Sequence, residues 1–265
     1  MAENIIYCYS GGGNCLDMAK NIARELGDTD IVMMRSAPVK TDAREAKRVG
    51  FIFPCYGGGL PGKVEEYAKT ILISPDAYTF GIVQYAGYMG CGLYKLDRIR
   101  ELDYWAGMSH QCTCIWLMPH GLMNPPLSVA AAQKRSEAKA RAFAADIKAM
   151  KHSAKRPPRR AACILESAGF SKVVGKKAAQ YTVNDRCIGC GTCVSVCPRH
   201  NIRLEGGRPV FGGDCIGCLS CIQYCPAEAL NVGKVTEKRE RYHNPNVSAQ
   251  DLCAELIHKI GRAHV

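Results

Sequence analysis

The first half of the chain alternates short apolar runs with segments whose apolar positions recur every three or four residues. The runs predict strands at Asn4–Ser10, Ile31–Met34, Val49–Pro54 and Tyr78–Tyr85, and a longer, less regular one at Trp105–Met118. The helical periodicity falls at Asn14–Leu26, Lys63–Ile73 and Gly92–Leu102, with a final alanine-rich helix over Leu127–His152. Strand and helix in alternation predict a doubly wound α/β domain, a five-stranded parallel sheet covered on both faces, over residues 1–152. Such a sheet binds ligands in the crevice beyond the carboxyl ends of its strands.

The pattern breaks at KHSAKRPPRR. Residues 153–180 read as a basic linker with one short helix, since Gly169 and Gly175 interrupt any longer one. From Tyr181 the composition turns to Cys, Gly and Ile, which predicts a second, small domain over 181–235. A C-terminal extension with a helix, 236–265, follows it.

With 265 residues, 47% hydrophobic and 22% charged, the chain has ordinary globular composition. No apolar run reaches the roughly 18 residues a membrane helix needs, and MAENIIYCYSGGGN lacks the basic start of a signal peptide. The sequence thus predicts a cytoplasmic protein, where 16 cysteines stay reduced and available as ligands. Most of the net charge of +11 lies in residues 151–181, with eight Lys or Arg against one acidic residue. That stretch reads as a solvated connector, or as a dock for an acidic partner.

Half of the cysteines form a repeat. CIGCGTCVSVCP places Cys187, Cys190, Cys193 and Cys197 before Pro198, and CIGCLSCIQYCP places Cys215, Cys218, Cys221 and Cys225 before Pro226, each 28 residues after its counterpart. Two residues between successive cysteines let one turn present three thiolates to one cubane, while the fourth, before proline, reaches the other. The spacing assigns Cys187, Cys190, Cys193 and Cys225 to one [4Fe–4S] cluster, and Cys215, Cys218, Cys221 and Cys197 to a second. Gly189, Gly191 and Gly217 suit a backbone that curls round a cluster. Paired zinc sites are the alternative, but they commonly have a longer spacer between cysteine pairs.

Three glycine-rich loops follow predicted strands. Ser10, Gly11, Gly12, Gly13, Asn14 and Cys15 open into a helix, whose N-terminus with converging amides suits a phosphate; an ordinary glycine turn is the alternative. Pro54, Cys55, Tyr56, Gly57 and Gly58 form the second loop, and Tyr85, Ala86, Gly87, Tyr88, Gly90 and Cys91 the third. Three loops at one sheet edge imply a flat ligand, on which Tyr56, Tyr85 and Tyr88 are candidates to stack. GGGLPG spells a dinucleotide fingerprint at Gly57–Gly62, but Ile82-Val83-Gln84 lacks the acidic residue that would hold a ribose, so no private NAD(P)H site is expected.

With both halves in view, the chain resembles the bacterial family of iron–sulfur flavoproteins that fuse a flavodoxin-like domain to a two-cluster ferredoxin. YCYSGGGNC, PCYGGGLP and QYAGYMGCG are similar to its three flavin loops, and LMPHGLM and KRERYHNP to further segments. The resemblance implies a flavodoxin-like fold followed by an α+β bacterial-type ferredoxin domain, non-covalent FMN, and electron transfer in anaerobic metabolism. The phosphate loop departs from the pattern: Gly12 and Cys15 stand where hydroxyls are usual, leaving Ser10 as the only hydroxyl and Asn14 as a further polar donor.

Among the other cysteines, Cys8, Cys112 and Cys114 read as core residues, Cys163 and Cys253 have no ligand pattern, and Cys15, Cys55 and Cys91 are candidate reactive thiols. His110, His120, Tyr242 and His243 read as structural or solvent-facing rather than as proton donors. The leading expectation is an electron-transfer flavoprotein serving protein redox partners, a ferredoxin-like donor or a downstream oxidoreductase. The alternative is a flavin-dependent reductase of a quinone, an oxygen species or an organic acceptor. Nucleic-acid binding is disfavoured, because no basic surface interleaved with aromatic residues accompanies the charge. A homodimer is left open.

Overall fold

The computed structural model describes residues 2–35, 38–117 and 125–260. Five strands, β1 (Asn4–Cys8), β2 (Thr29–Met33), β3 (Arg48–Pro54), β4 (Tyr78–Tyr85) and β5 (Tyr104–Ser109), pair in parallel in the order β2-β1-β3-β4-β5. This is the flavodoxin-like order, which reverses direction at β1 and β3 and opens a ligand crevice at their carboxyl ends. Helices α1 (Asn14–Leu26) and α4 (Val129–Lys148) cover one face with Leu16, Ile22, Phe143 and Ile147. Helices α2 (Gly62–Thr70) and α3 (Gly92–Ile99) cover the other with Val64, Tyr67, Leu93 and Leu96. Burial on both faces is why β1 is apolar without alternation and fully buried.

Three expectations need correction. The strand expected over Trp105–Met118 ends at Ser109, because β4 turns away after Tyr85 and the ladder ends at the Tyr85–Ser109 pair. Residues 110–117 run instead along the crevice. The linker's short helix is an 18-residue one, α5 (Ala161–Ala178). Gly169 and Gly175 face open space within it, and each costs the helix only about 1 kcal/mol.

The sheet also has six strands rather than five. The C-terminal segment contributes α8 (Ala249–Cys253), fixed by a Ser248–Asp251 capping box, and then β10 (Leu256–Ile260). β10 runs antiparallel to β2 and covers that strand's free edge. Between the parallel sheet and this return lies a small α+β unit. Its β6 (Tyr181–Val183) pairs with β9 (Leu230–Val232) and β7 (Ile202–Glu205) with β8 (Arg208–Phe211), both antiparallel. One-turn helices α6 (Thr192–Ser195) and α7 (Ser220–Gln223) carry the cysteine runs.

The two halves are joined by buried polar contacts. The Arg35 guanidinium donates to the carbonyls of Ser195 at 2.6 Å and Leu252 at 2.9 Å, tying β2, the first cysteine run and α8 together. The basic connector is partly neutralised: Arg156 pairs with Asp97 and Glu101, both at 2.9 Å. Among the described residues no helix is long and apolar enough to cross a membrane.

Candidate functional site

The eight repeat cysteines divide between two cavities. Cys187, Cys190, Cys193 and Cys225 line one; Cys197, Cys215, Cys218 and Cys221 line another. Each cavity thus draws three thiols from one run and the fourth from the other. Among the described residues no three His, Cys, Asp or Glu are drawn together as tightly as a single ion would need. Three thiols at two-residue spacing joined by a fourth from the other run suit a cubane cluster.

Backbone geometry repeats with the sequence. The Asn201 amide donates to Cys197 Sγ and the Ala229 amide to Cys225 Sγ, both at 3.3 Å and 28 residues apart. N–H···S bonds of this kind stabilise the negative charge of a cluster. Gly189, Gly191 and Gly217 all have positive φ, +65°, +76° and +69°. Leu219, the counterpart of Gly191, shares its left-handed backbone at φ +61°. A leucine there costs about 1 kcal/mol, and its buried side chain borders both the second cavity and the crevice described next.

That crevice runs along the carboxyl edge of the sheet in two connected parts. The inner part, about 90 Å³, is lined by the loop after β1 (Ser10, Gly11, Gly12, Asn14, Cys15), by Pro54, Cys55 and Tyr56, by Tyr85 and Ala86, and by residues 110–114. The outer part, about 460 Å³, shares Cys55, Tyr56, Tyr85 and Ala86 and adds Gly57, Gly58, Gly87 and Tyr88. Gly13, Gly90 and Cys91 line neither part. Gly13 donates its amide to Ser10 Oγ at 3.1 Å, and Cys91 donates its own to the Gly58 carbonyl at 2.7 Å, so both shape the loops from behind.

The inner crevice contains unmet hydrogen-bonding capacity. Both amide atoms of Gln84 and Oε1 of Gln111 are buried without a protein partner, although both residues border it. Buried amides left this way call for a polar ligand. Together with a helix N-terminus and glycine amides, they fit a phosphorylated, hydrogen-bonding group such as FMN. Gln84, although it opens QYAGYMGCG, and residues 110–114 are not among the ligand candidates read from the sequence, because the strand expectations run through them.

The loop after β1 is held from the far end of the chain. The Tyr242 hydroxyl donates to Asn14 Oδ1 at 2.8 Å, and Asn244 Nδ2 donates to the same atom at 3.2 Å. Asn14 Nδ2 in turn donates to the Gln111 carbonyl at 3.2 Å, so its side chain is committed within the protein. Asn244 also donates its backbone amide to the Gly12 carbonyl at 2.8 Å, and accepts from Gln133 Nε2 at 2.9 Å. His243 stacks on Tyr224, with ring centroids 4.4 Å apart. Tyr242 and His243 therefore have the structural roles expected; His120 lies outside the described residues, as do positions 118–123 of LMPHGLM.

His110 belongs to this buried network, with Nε2 3.0 Å from Gln133 Oε1. Burial pushes its pKa down from 6.5 to about 4. Between those values an unfolded chain binds a proton that the folded chain refuses, so His110 makes stability fall as pH drops from 6.5 to about 4 and adds no pH dependence above that range. Thermal midpoints measured across this range will fall less steeply in His110→Gln than in the parent.

The crevice and the second cavity share a wall. Gly217, Cys218 and Leu219 border the outer crevice, and Cys218 and Leu219 also line the second cavity. Ser220 Oγ donates to the Gly11 carbonyl at 2.9 Å, fastening the cysteine loop to the phosphate loop. A Cβ on Gly11 would meet the Cys218 carbonyl oxygen at 2.4 Å and the Tyr56 hydroxyl at 2.7 Å. Since backbone cannot swing aside as a side chain can, Gly11→Ala should cost about 2 kcal/mol and lower the melting temperature by about 4 to 8 °C.

Comparison with known proteins agrees at the cysteine runs. Residues 181–203 and 213–232 each match a 4Fe-4S binding domain. No curated protein sequence matches the chain. Among solved structures it is similar to the rubredoxin oxygen:oxidoreductase of the anaerobe Desulfovibrio gigas, at 12% identity and a TM-score of 0.35, over 56% of this chain and 36% of that one. It is similar also to an azoreductase from Bacillus anthracis (8% identity, TM-score 0.36, 54% of this chain and 99% of that one). An NAD(P)H:quinone oxidoreductase from Methanothermobacter marburgensis gives 10% identity and a TM-score of 0.34, over 56% and 100%. Likeness at these scores carries no weight for chemistry. The chain thus carries two 4Fe-4S binding units, and its chemistry is redox electron transfer.

Proposed function

We propose that this chain is an electron-transfer flavoprotein linking FMN in the crevice, through two [4Fe–4S] clusters, to a protein redox partner. Bound FMN exchanges one or two electrons and each cubane one, so the pair couples a two-electron donor to single-electron carriers. The observation that carries this is the shared wall at Gly217–Leu219, which sets the second thiol cavity directly against the crevice.

The residues divide the work. Amides of Gly11 and Gly12 with the α1 N-terminus hold the phosphate, Gln84 and Gln111 bond polar edges of the ligand, and Tyr85 and Tyr88 flank the outer space. Cys215, Cys218, Cys221 and Cys197 hold the cluster beside the crevice, and Cys187, Cys190, Cys193 and Cys225 the farther one. Cys190 is the exposed member of the farther set, and Ile188 beside it is 70% exposed, so that end suits a partner. Anaerobic reconstitution tests the assignment: about eight iron, about eight sulfide and about one FMN per chain are expected. Sulfide without FMN would remove the relay, and neither would remove the clusters as well.

A second reading is favoured by the crevice mouth. Tyr88, Leu117, Leu165 and Val173, all among the exposed large apolar side chains, border it. An apolar rim admits a small organic acceptor, as a reductase would need. Sustained turnover of a quinone in the absence of any protein partner selects the reductase; no such turnover selects the relay.

A further inference from the structure

A second group of thiols converges outside the cluster motifs. Cys55 lies in the loop after β3, Cys91 precedes α3, and Cys163 sits near the start of α5. They meet around Gly58. A Cβ on Gly58 would lie 3.4 Å from the Cβ of Cys163, and a Cβ on Gly90 would lie 2.8 Å from Cys55 Sγ and 2.4 Å from the Gly58 carbonyl oxygen. Cys55 is within electrostatic reach of both Cys163 and Cys91.

Helix α5 is lightly held. Among its described side chains only Cys163 and Val174 are buried. Hollows of about 460 and about 360 Å³ border it, Phe170 facing both. Its polar attachments are few: Glu166 accepts from the Tyr88 hydroxyl, and Lys95 Nζ donates to Ser167 Oγ at 2.5 Å. The helix forms one wall of the outer crevice, so whatever fixes it there fixes access.

We propose that Cys55 and Cys163 form a reversible disulfide that pins α5 across the outer crevice, with a small-molecule disulfide as the oxidant. Cys55 is the attacking thiol, because it is half-buried and borders the crevice, whereas Cys91 is 1% exposed. Cys55 gives its proton to solvent and its sulfur attacks the small disulfide, forming a mixed disulfide and expelling one thiolate. Cys163 then gives up its proton and displaces the second thiolate. Two protein thiols become one disulfide, and the oxidant leaves as two thiols. Burial, with Glu166 beside it, pushes the Cys55 thiol up to about 12. Exchange is therefore slow while α5 is docked; it begins with the helix lifted and completes as Cys163 returns.

The disulfide stands apart from the FMN assignment; only its effect, a closed ligand crevice, rests on it. Full-length, cluster-loaded protein is equilibrated anaerobically with glutathione disulfide and glutathione at several ratios, alkylated, and digested without reduction. Mass spectrometry should find a Cys55–Cys163 cross-linked peptide that disappears in excess glutathione. Cys163→Ala should lose that peptide and leave Cys55 as a glutathione adduct, while Cys91→Ala should retain it. Failure of the cross-link at every ratio, or its formation between Cys163 and Cys91, would overturn the proposal. FMN and iron measured in the same samples separate the two ideas: a cross-link without FMN sinks the relay alone, and FMN without a cross-link sinks the latch alone.

Discussion

Replacing Cys197 with alanine should halve the iron content, from about eight to about four per chain, and empty the cavity lined by Cys215, Cys218 and Cys221. The expectation is counterintuitive from sequence order, because Cys197 lies in the first run and its cavity belongs to the second. Pairs of substitutions decide it. Cys197→Ala with Cys215→Ala strikes one site twice and leaves about four iron. Cys197→Ala with Cys187→Ala strikes both and leaves almost none. Two sites each built from one uninterrupted run would give the reverse: the Cys187 pair would keep a cluster and the Cys215 pair would lose both. Iron and sulfide analysis of the four proteins is sufficient.

Asn244→Ala should destabilise the parallel-sheet half although Asn244 lies far from it in sequence. The side chain accepts from Gln133 Nε2 and from the Asn246 amide at 2.9 Å each, and donates to Asn14. Asn244 is fully buried, so its loss leaves the Gln133 amide without that partner in a dry setting. Each unmet buried group costs about 1 to 3 kcal/mol. With that one group orphaned and the bond to Asn14 lost, a cost of about 2 kcal/mol and a fall of about 4 to 8 °C in melting temperature follow. FMN affinity should weaken in parallel, because Asn14 loses one of the two donors that orient its side chain in the loop after β1. Tyr242→Phe removes one bond to Asn14 and should cost about 1 kcal/mol. A melting temperature unchanged in Asn244→Ala would show that the C-terminal segment does not hold that loop.

What the sequence disclosed and what it withheld divide along contact range. The cysteine runs are legible because the same four-cysteine spacing closing on proline occurs twice, 28 residues apart, and each run matches a 4Fe-4S binding domain. α1 was read with its observed bounds, since its apolar stripe begins at a glycine loop and ends at Gly27. By contrast β10 has an ordinary strand pattern, and nothing local says that it returns to pair with β2 across more than two hundred residues. The same distance hid the grip of Tyr242 and Asn244 on Asn14, and the meeting of Cys163 with Cys55. Glycines at 169 and 175 argue for a short helix, but the exposed α5 absorbs both. At Leu219 local propensity misleads: a left-handed leucine stands where the first run has glycine, at the partition between thiol cavity and crevice.

The central claim is that the ligand crevice and the second cluster cavity share a wall within a single chain, at Gly217–Leu219. Flash photoreduction of the flavin in anaerobically reconstituted protein, with bleaching of the cluster absorbance followed in time, tests this most directly. A bleaching rate that stays constant as protein concentration is varied tenfold is the predicted result. A rate that rises in proportion to concentration would place the transfer between molecules and contradict the account.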